Sequence, residues 1–236
     1  MQVLVVTAVP AERDAVTRAF GGARHIREVP GAELHRAGPF DVLAGGAGPA
    51  AAAAATAFAL AGAPAAEPYG LVVSAGIGGG FAPVAPVGSL VVATRIVAAD
   101  LGAETPDGFV PVTGLGFGRD TFVPPEDLVR DVATATGATP GPVLTVSTVT
   151  GSTARTSALL AAWPGAVAEA MEGFGVAEAA ARPGVPALEL RAVSNAVGPR
   201  DREAWRIGDA LAALTEAFGK TAPVLESWTR HDRHRD

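Results

Sequence analysis

Short aliphatic and β-branched runs alternate with alanine-rich stretches along most of this chain. Mostly apolar runs predict buried strands at residues 3–7, 71–74, 89–94, 143–148 and 187–194. Strands that are apolar on both faces are typical of sheets covered by helices on both sides. The alternation therefore predicts an α/β fold, with a mixed, mainly parallel sheet flanked by helices in a single domain.

The stretches between these strands carry helical patterns, with one exception. Residues 33–36 and 41–45 flank Gly38-Pro39 and predict a hairpin. The helical patterns predict helices at residues 10–20, 49–61, 154–163, 173–182 and 203–218.

Two internal segments fit neither pattern. The glycine-dense residues 75–80 are predicted to separate two strands, and residues 102–125 lack a clear period and carry several Gly and Pro. A loop of that length in a compact domain is usually functional. We predict one domain over residues 1–228, followed by a charged, frayed tail over residues 229–236.

Composition excludes several classes of protein. Of the 236 residues 49% are hydrophobic and 18% charged, which excludes a disordered chain. The net charge of −6 argues against nucleic-acid and membrane partners. With no cysteine and four scattered histidines, the chain predicts no metal site. The first strand follows Met1 without a basic segment, and no apolar run reaches the roughly 20 residues of a membrane span, so we predict a cytoplasmic protein.

Three polar residues lie where predicted strands end, which is the edge at which open α/β sheets bind ligands. Glu12 opens the first helix, although the helix dipole alone would favour a carboxylate there. Glu172 lies in an apolar run, where a carboxylate is costly unless it is paired or binds something polar. Asn195 follows the strand at 187–194, where Asn is also a common turn former. Together they predict a small-molecule site at one sheet edge.

A glycine motif offers an alternative site. Residues 46–51 read G-x-G-x-x-A between a strand and a helix, as in dinucleotide-binding proteins. The acidic residue that should hold the ribose is missing, because Glu67 precedes the next strand instead of ending it. Tight packing between strand and helix explains these glycines equally well.

Several motifs resemble the purine nucleoside phosphorylase and nucleosidase superfamily, over about residues 1–225. Residues 170–172, Ala-Met-Glu, are similar to its ribose-binding Met-Glu pair, and residues 191–195, Arg-Ala-Val-Ser-Asn, to its Arg-x-x-Ser-Asp element. Residues 72–78 resemble its glycine-rich strand end, and residues 10–12 the start of its nucleosidases. Residues 194–205 are similar to the futalosine hydrolases within this superfamily.

The resemblance implies a role for each matching residue. Glu12 would activate the water that attacks C1′, and Glu172 would hold the ribose hydroxyls, with Met171 packed against the sugar. Asn195 would stabilise the departing base. Further substrate contacts would come from Ser74, Ala75, Gly76, Val149, Thr150 and Ser194. No metal and no organic cofactor is implied.

Asn195 decides the substrate, because the adenosine nucleosidases have Asp at this place. An amide carries two N–H donors but cannot act as an acid. Its donors suit N7 and O6 of a 6-oxopurine, whereas one donor would face the 6-amino group of adenine unsatisfied, at a cost of about 1–3 kcal/mol. The donors of Asn195 therefore favour a 6-oxopurine base, and the resemblance to the futalosine hydrolases implies hydrolysis of futalosine to hypoxanthine and dehypoxanthine futalosine, a step of menaquinone biosynthesis.

Four other functions remain as alternatives. The first two are a purine nucleoside phosphorylase and a methylthioadenosine/S-adenosylhomocysteine nucleosidase. The others are a non-catalytic nucleoside-binding protein and a dinucleotide-dependent oxidoreductase.

The far end of futalosine carries a benzoate, which needs a cation or several N–H donors. Within residues 102–125, Phe109 and Phe117 are predicted to pack on the aromatic ring and Arg119 to meet the carboxylate, although a solvated surface arginine explains Arg119 equally well. The resemblance also implies a homo-oligomer.

Overall fold

The structure is a computed structural model that describes residues 1–23 and 25–231. The first half of the chain forms β1 (Gln2–Thr7), α1 (Pro10–Ala19), β2 (His25–Val29), β3 (Ala32–Ala37), β4 (Phe40–Ala44), α2 (Pro49–Ala61), β5 (Tyr69–Gly80), β6 (Leu90–Ala98), β7 (Gly102–Thr105) and β8 (Gly108–Pro111). The second half forms β9 (Thr121–Phe122), α3 (Glu126–Thr136), β10 (Thr139–Thr145), α4 (Thr153–Ala162), β11 (Ala168–Ala170), α5 (Gly173–Ala181), β12 (Ala187–Ala196) and α6 (Ile207–His231).

The large sheet is mixed and has the strand order β11-β10-β6-β12-β5-β1-β4-β3-β2. Parallel pairs join β1 to β4 and β5, β5 to β12, and β10 to β6 and β11. The antiparallel pairing of β11 with β5 closes β5, β12, β6, β10 and β11 into a ring. The predicted mixed α/β fold is confirmed.

Both faces of the sheet are covered, which explains the continuous apolar runs. In β1, Val3 and Val5 face a core with α1, α3 and α6, whereas Leu4 and Val6 face α2 and α5. Side chains alternate between the two faces of a strand, so each run supplies both cores at once. The side chains of Val3–Val6 are all fully buried.

The predictions for the first part of the chain are largely confirmed. Helix α1 and α2 lie where the pattern predicts them, and β3 and β4 form the predicted hairpin. The prediction that residues 75–80 lie between strands is wrong, because β5 continues to Gly80. A Cβ atom on Gly80 would lie 2.0 Å from the carbonyl oxygen of Ala85, so close packing, not a turn, demands glycine here.

The prediction that residues 102–125 lack regular elements is also wrong, because they contain β7, β8 and β9. Helix α6 begins at Ile207 instead of residue 203 and continues to His231. It therefore includes residues 229–231 of the predicted tail, while residues 232–236 lie outside the described residues. Sequence reasoning missed β2, β11 and α3. None of the helices that the structure describes is long and apolar enough to cross a membrane.

Candidate active site

Glu12 lies in the first turn of α1, and its carboxylate points back across the end of β1. Its Oε2 accepts hydrogen bonds from the backbone N–H groups of Ala8 at 2.9 Å and Val9 at 3.2 Å. Its Oε1 accepts one from the N–H of Ile77 in β5 at 2.8 Å. Glu12 is only 3% exposed. The carboxylate thus joins the start of α1 to β5 and satisfies three backbone donors.

Burial raises the pKa of Glu12 above its ordinary value of 4.5, while the nearby Arg191 and the N–H of Ile77 act in the opposite direction. A buried carboxylate at a sheet edge with a raised pKa is suited to accept a proton near neutral pH. The local role as a helix cap and the chemical role as a base are therefore compatible.

Glu172 lies between β11 and α5, at the same edge of the sheet. Its Oε1 accepts a hydrogen bond from the N–H of Gly48 at 3.2 Å, and its Oε2 one from the N–H of Met171 at 3.3 Å. Gly48 immediately precedes α2. A dinucleotide would place its pyrophosphate at this helix N-terminus, and Glu172 already occupies it. The glycine motif at residues 46–51 thus positions a carboxylate.

Arg191 in β12 is fully buried, forms an ion pair with Glu172 and lies beside Gly76, as Glu12 does. Its Nη1 lies 3.2 Å from Oε2 of Glu172, and its Nη2 donates to Oγ of Ser74 at 2.9 Å. A Cβ atom on Gly76 would lie 2.6 Å from Oε1 of Glu12 and 2.8 Å from Nη1 of Arg191. Glycine at this position therefore gives the carboxylate and the guanidinium room to approach each other. We call Glu12, Glu172, Glu189 and Arg191 the charged cluster.

Glu189 is the member of the charged cluster that sequence reasoning missed. It is fully buried, and its Oε1 accepts a hydrogen bond from Nε of Arg191 at 3.0 Å. A signal was present, because residues 189 and 191 are charged residues two apart in an otherwise apolar strand. That spacing places both side chains on the same face of a strand.

Asn195 lies near the end of β12 and is partly exposed. Oγ of Ser194 donates to Asn195 Oδ1 at 2.9 Å, and Asn195 Nδ2 donates to the carbonyl oxygen of Ala196 at 3.1 Å. A carbonyl oxygen can only accept, so the amide nitrogen must lie on that side. The second N–H of Asn195 has no protein acceptor among the hydrogen bonds of the described residues and can serve a ligand.

Thr150 is held by a second residue that sequence reasoning missed. The N–H of Thr150 donates to Oε1 of Glu169 at 2.8 Å, and its hydroxyl donates to Oε2. Burial raises the pKa of Glu169, while the two bonds from Thr150 act against that rise. Glu169 and Asn195 both pair with Gly79, from opposite neighbouring strands. Glu169 therefore fixes Thr150, which is predicted to line the base, and lies across β5 from Asn195.

The remaining predicted residues lie at varied depths. The side chain of Ala75 is in the core between β5 and α6, so it can offer a ligand only its backbone. Met171 is half-buried beside Glu172, and Val149 is exposed. Phe117 is 68% exposed, and Arg119 stacks on the ring of Phe122 with its guanidinium 4.8 Å from the ring centre.

Comparison with known proteins shows the family of this chain. The sequence pattern of the phosphorylase superfamily matches residues 3–226. The chain belongs to this superfamily. This member of the phosphorylase superfamily is 68% identical to the futalosine hydrolase of Streptomyces coelicolor, across 99% of this chain and 100% of that one. It is 48% identical to the futalosine hydrolase of Acidothermus cellulolyticus, across 91% of this chain and 88% of that one.

Solved structures share the fold of this phosphorylase-superfamily member. The futalosine hydrolase of Helicobacter pylori superposes with a TM-score of 0.80 at 17% identity, covering 94% of this chain and 97% of that one. A 5′-methylthioadenosine/S-adenosylhomocysteine nucleosidase of Colwellia psychrerythraea, in complex with adenine, gives a TM-score of 0.77 at 21% identity, covering 95% and 93% of the two chains. At these identities the likeness establishes the fold, which is the one predicted from the sequence.

Proposed function

We propose that this chain hydrolyses the N-glycosidic bond of futalosine, releasing hypoxanthine and dehypoxanthine futalosine, and so acts in menaquinone biosynthesis. The full-length identity of 68% to a futalosine hydrolase supports the substrate. One observation carries the type of reaction. The carboxylate of Glu12 fills the group of backbone N–H donors at the end of β1, where a phosphorylase would need to bind phosphate.

The electrostatics of the site favour water over phosphate as the nucleophile. Backbone N–H groups at a helix N-terminus are a ready site for an anion, but at α1 they are already bound to Glu12. Arg191 is likewise engaged by Glu172, Glu189 and Ser74. The negative charges of Glu12 and Glu172 would repel a phosphate anion. A neutral water molecule is not repelled by the carboxylates and does not need the N–H groups that Glu12 occupies.

The reaction then follows from the placement of the carboxylates. Glu12 accepts a proton from water as the water oxygen bonds to C1′ and the bond from C1′ to N9 breaks. The bonding electron pair leaves with the purine, which takes its proton from solvent. Glu172 accepts hydrogen bonds from the 2′- and 3′-hydroxyls, and Met171 packs on the sugar. Both carboxylates stabilise the positive charge that develops on the ribose.

Asn195 stabilises the leaving hypoxanthine by donating from Nδ2 to its N7 or O6. Because an amide cannot transfer a proton, this contribution is electrostatic. Residues that line the site complete the contacts to the base and sugar: Ser74, Ala75, Gly76, Val149, Thr150 and Ser194.

The carboxylate of the futalosine benzoate is assigned to Arg119, with Phe117 against the ring. Arg119 stacks on Phe122, whose ring centre lies 5.2 Å from that of Phe174, two residues after Glu172. These contacts support a position of Arg119 beside the part of the site that binds the sugar. We also propose that the protein is cytoplasmic and forms a homo-oligomer. The exposure of Phe117 and Val123, 68% and 74%, supports the oligomer, because apolar interface residues are exposed in a single chain.

A panel of nucleosides tests the proposal. The protein is mixed with futalosine, inosine and methylthioadenosine, each with and without phosphate, and the free base is followed by chromatography. We expect hypoxanthine from futalosine irrespective of phosphate. Phosphate-dependent release would indicate a phosphorylase, adenine release would indicate an adenosine-type nucleosidase, and no release from any nucleoside would indicate a binding protein.

A further inference from the structure

Glu189 is a buried carboxylate that the reaction described above does not use. It pairs in register with Ser74 in the middle of the sheet and is fully buried. Its Oε2 has no hydrogen-bond partner within the part of the chain that the structure describes. A Cβ atom on Gly173, the first residue of α5, would lie only 2.2 Å from that oxygen. The fold thus reserves space for this carboxylate, although burying it is costly.

The geometry of Arg191 shows what the carboxylate of Glu189 does. A guanidinium is planar, with its donors fixed relative to one another. Glu189 holds it at Nε and Ser74 holds it at Nη2, at 3.0 and 2.9 Å. Two anchored donors fix the plane, which leaves Nη1 in an ion pair 3.2 Å from Oε2 of Glu172, without a well-aligned hydrogen bond, and beside the space at Gly76 that Glu12 shares.

The charges of the cluster support the same role for Glu189. One guanidinium, Arg191, serves three carboxylates: Glu12 from α1, Glu172 from the start of α5, and Glu189 from β12 itself. The electrostatic attraction of Arg191 favours the ionised form of any carboxylate near it. A carboxylate at residue 189 offsets part of that attraction, so Glu12 keeps more of its affinity for a proton.

We propose that Glu189 is a positioning residue that acts through Arg191: it aims the guanidinium at Ser74 and Glu172, and it keeps Glu12 a strong enough base to activate water. This inference rests on the proposed function, because it assumes that Glu12 is the base.

The variant Glu189→Gln separates charge from hydrogen bonding. Its amide oxygen can still accept from Nε of Arg191, but the negative charge is gone. The charge of Arg191 is then no longer offset by a carboxylate at residue 189, so the pKa of Glu12 falls. We expect the acid limb of the kcat–pH profile to move to lower pH by about 0.5–1 unit, and kcat on the plateau to fall about 3- to 10-fold as Glu12 becomes a weaker base. KM for futalosine should change by less than about twofold, because Glu189 does not touch the substrate.

A second variant, Glu189→Leu, removes both the charge and the acceptor. We expect the acid limb to move in the same direction, and kcat to fall further than in Glu189→Gln, by about 10- to 100-fold. Either variant suffices for the test if the other does not fold.

Asp41→Asn is the matched control. Asp41, near the start of β4, is also a fully buried carboxylate outside the charged cluster, bound by Arg36 at 2.9 Å and by the hydroxyl of Tyr69 at 2.6 Å. We expect it to lower the melting temperature and leave the pH profile where it is. An acid limb in Glu189→Gln that coincides with that of the unmodified protein, or an equal shift in Asp41→Asn, would overturn the proposal. If the unmodified protein hydrolyses futalosine without any acid limb, the base role of Glu12 fails first, which is a failure of the proposed function.

Discussion

Replacing Glu12 by Gln removes the predicted base while keeping the shape of the side chain. The carboxylate accepts from three backbone N–H groups, of Ala8, Val9 and Ile77. Glutamine has one acceptor oxygen, so if that oxygen faces Ala8 and Val9, its amide group faces the N–H of Ile77. Leaving one buried donor unsatisfied costs about 1–3 kcal/mol. For a chain of this size each kcal/mol lowers the melting temperature by about 2–4 °C.

The effect on turnover should be much larger than the effect on stability. An amide cannot accept the proton of the attacking water, and a general base contributes about 10²- to 10⁴-fold to the rate. Hypoxanthine release gives kcat, and a thermal melt of the same sample gives the loss of stability. A lowered melting temperature with kcat within about threefold of the parent protein would refute the base role, since a general base is worth far more. It would leave Glu12 as a helix cap.

Four further predictions test the rest of the site. Since burial raises the pKa of Glu12 above 4.5, kcat in the unmodified protein should already fall at pH values above 4.5 as the solution is made more acidic; a profile flat down to that pH would contradict it. Glu172→Ala should greatly lower kcat/KM, and the parent protein should act poorly on 2′-deoxyinosine; equal rates on ribo- and 2′-deoxyribonucleosides would remove Glu172 from the ribose. Asn195→Asp should lower kcat/KM for futalosine by about 10- to 100-fold, because a carboxylate cannot donate to O6, and should raise the relative rate on methylthioadenosine; an unchanged ratio would show that residue 195 does not read the base. Arg119→Ala should raise KM for futalosine by about 10- to 100-fold and leave inosine unaffected; equal effects on both nucleosides would make Arg119 a structural residue.

The fold could be predicted because the apolar runs report burial on both faces. Val3–Val6 are apolar throughout and face two different helix layers, as the pattern indicates. The prediction that residues 75–80 separate two strands failed because glycine occurs both in tight turns and where backbones pack closely. Only the residues packed against a glycine show which applies, as Ala85 in the loop after β5 does for Gly80.

The site was predicted in part. Glu12, Glu172 and Asn195 follow strands or open helices, where a sequence reveals chemistry at a sheet edge. Glu169 and Glu189 lie inside strands. The partner of Glu169 is Thr150, which lies outside its strand, and the partner of Glu189 is Arg191, two residues further along β12. Such a partner depends on strand register, which the local sequence does not encode. The pair of Glu189 and Arg191 is the exception, because their spacing of two residues in the sequence already places them on the same face of a strand.

We propose that Glu12 and the charged cluster direct water, not phosphate, at C1′ of a 6-oxopurine nucleoside. The most direct test is the initial rate of hypoxanthine release from futalosine in phosphate-free buffer and again with saturating phosphate, with the sugar product identified in each case. The account predicts equal rates and dehypoxanthine futalosine as the product in both. A rate that requires phosphate, with a sugar 1-phosphate as product, would contradict it.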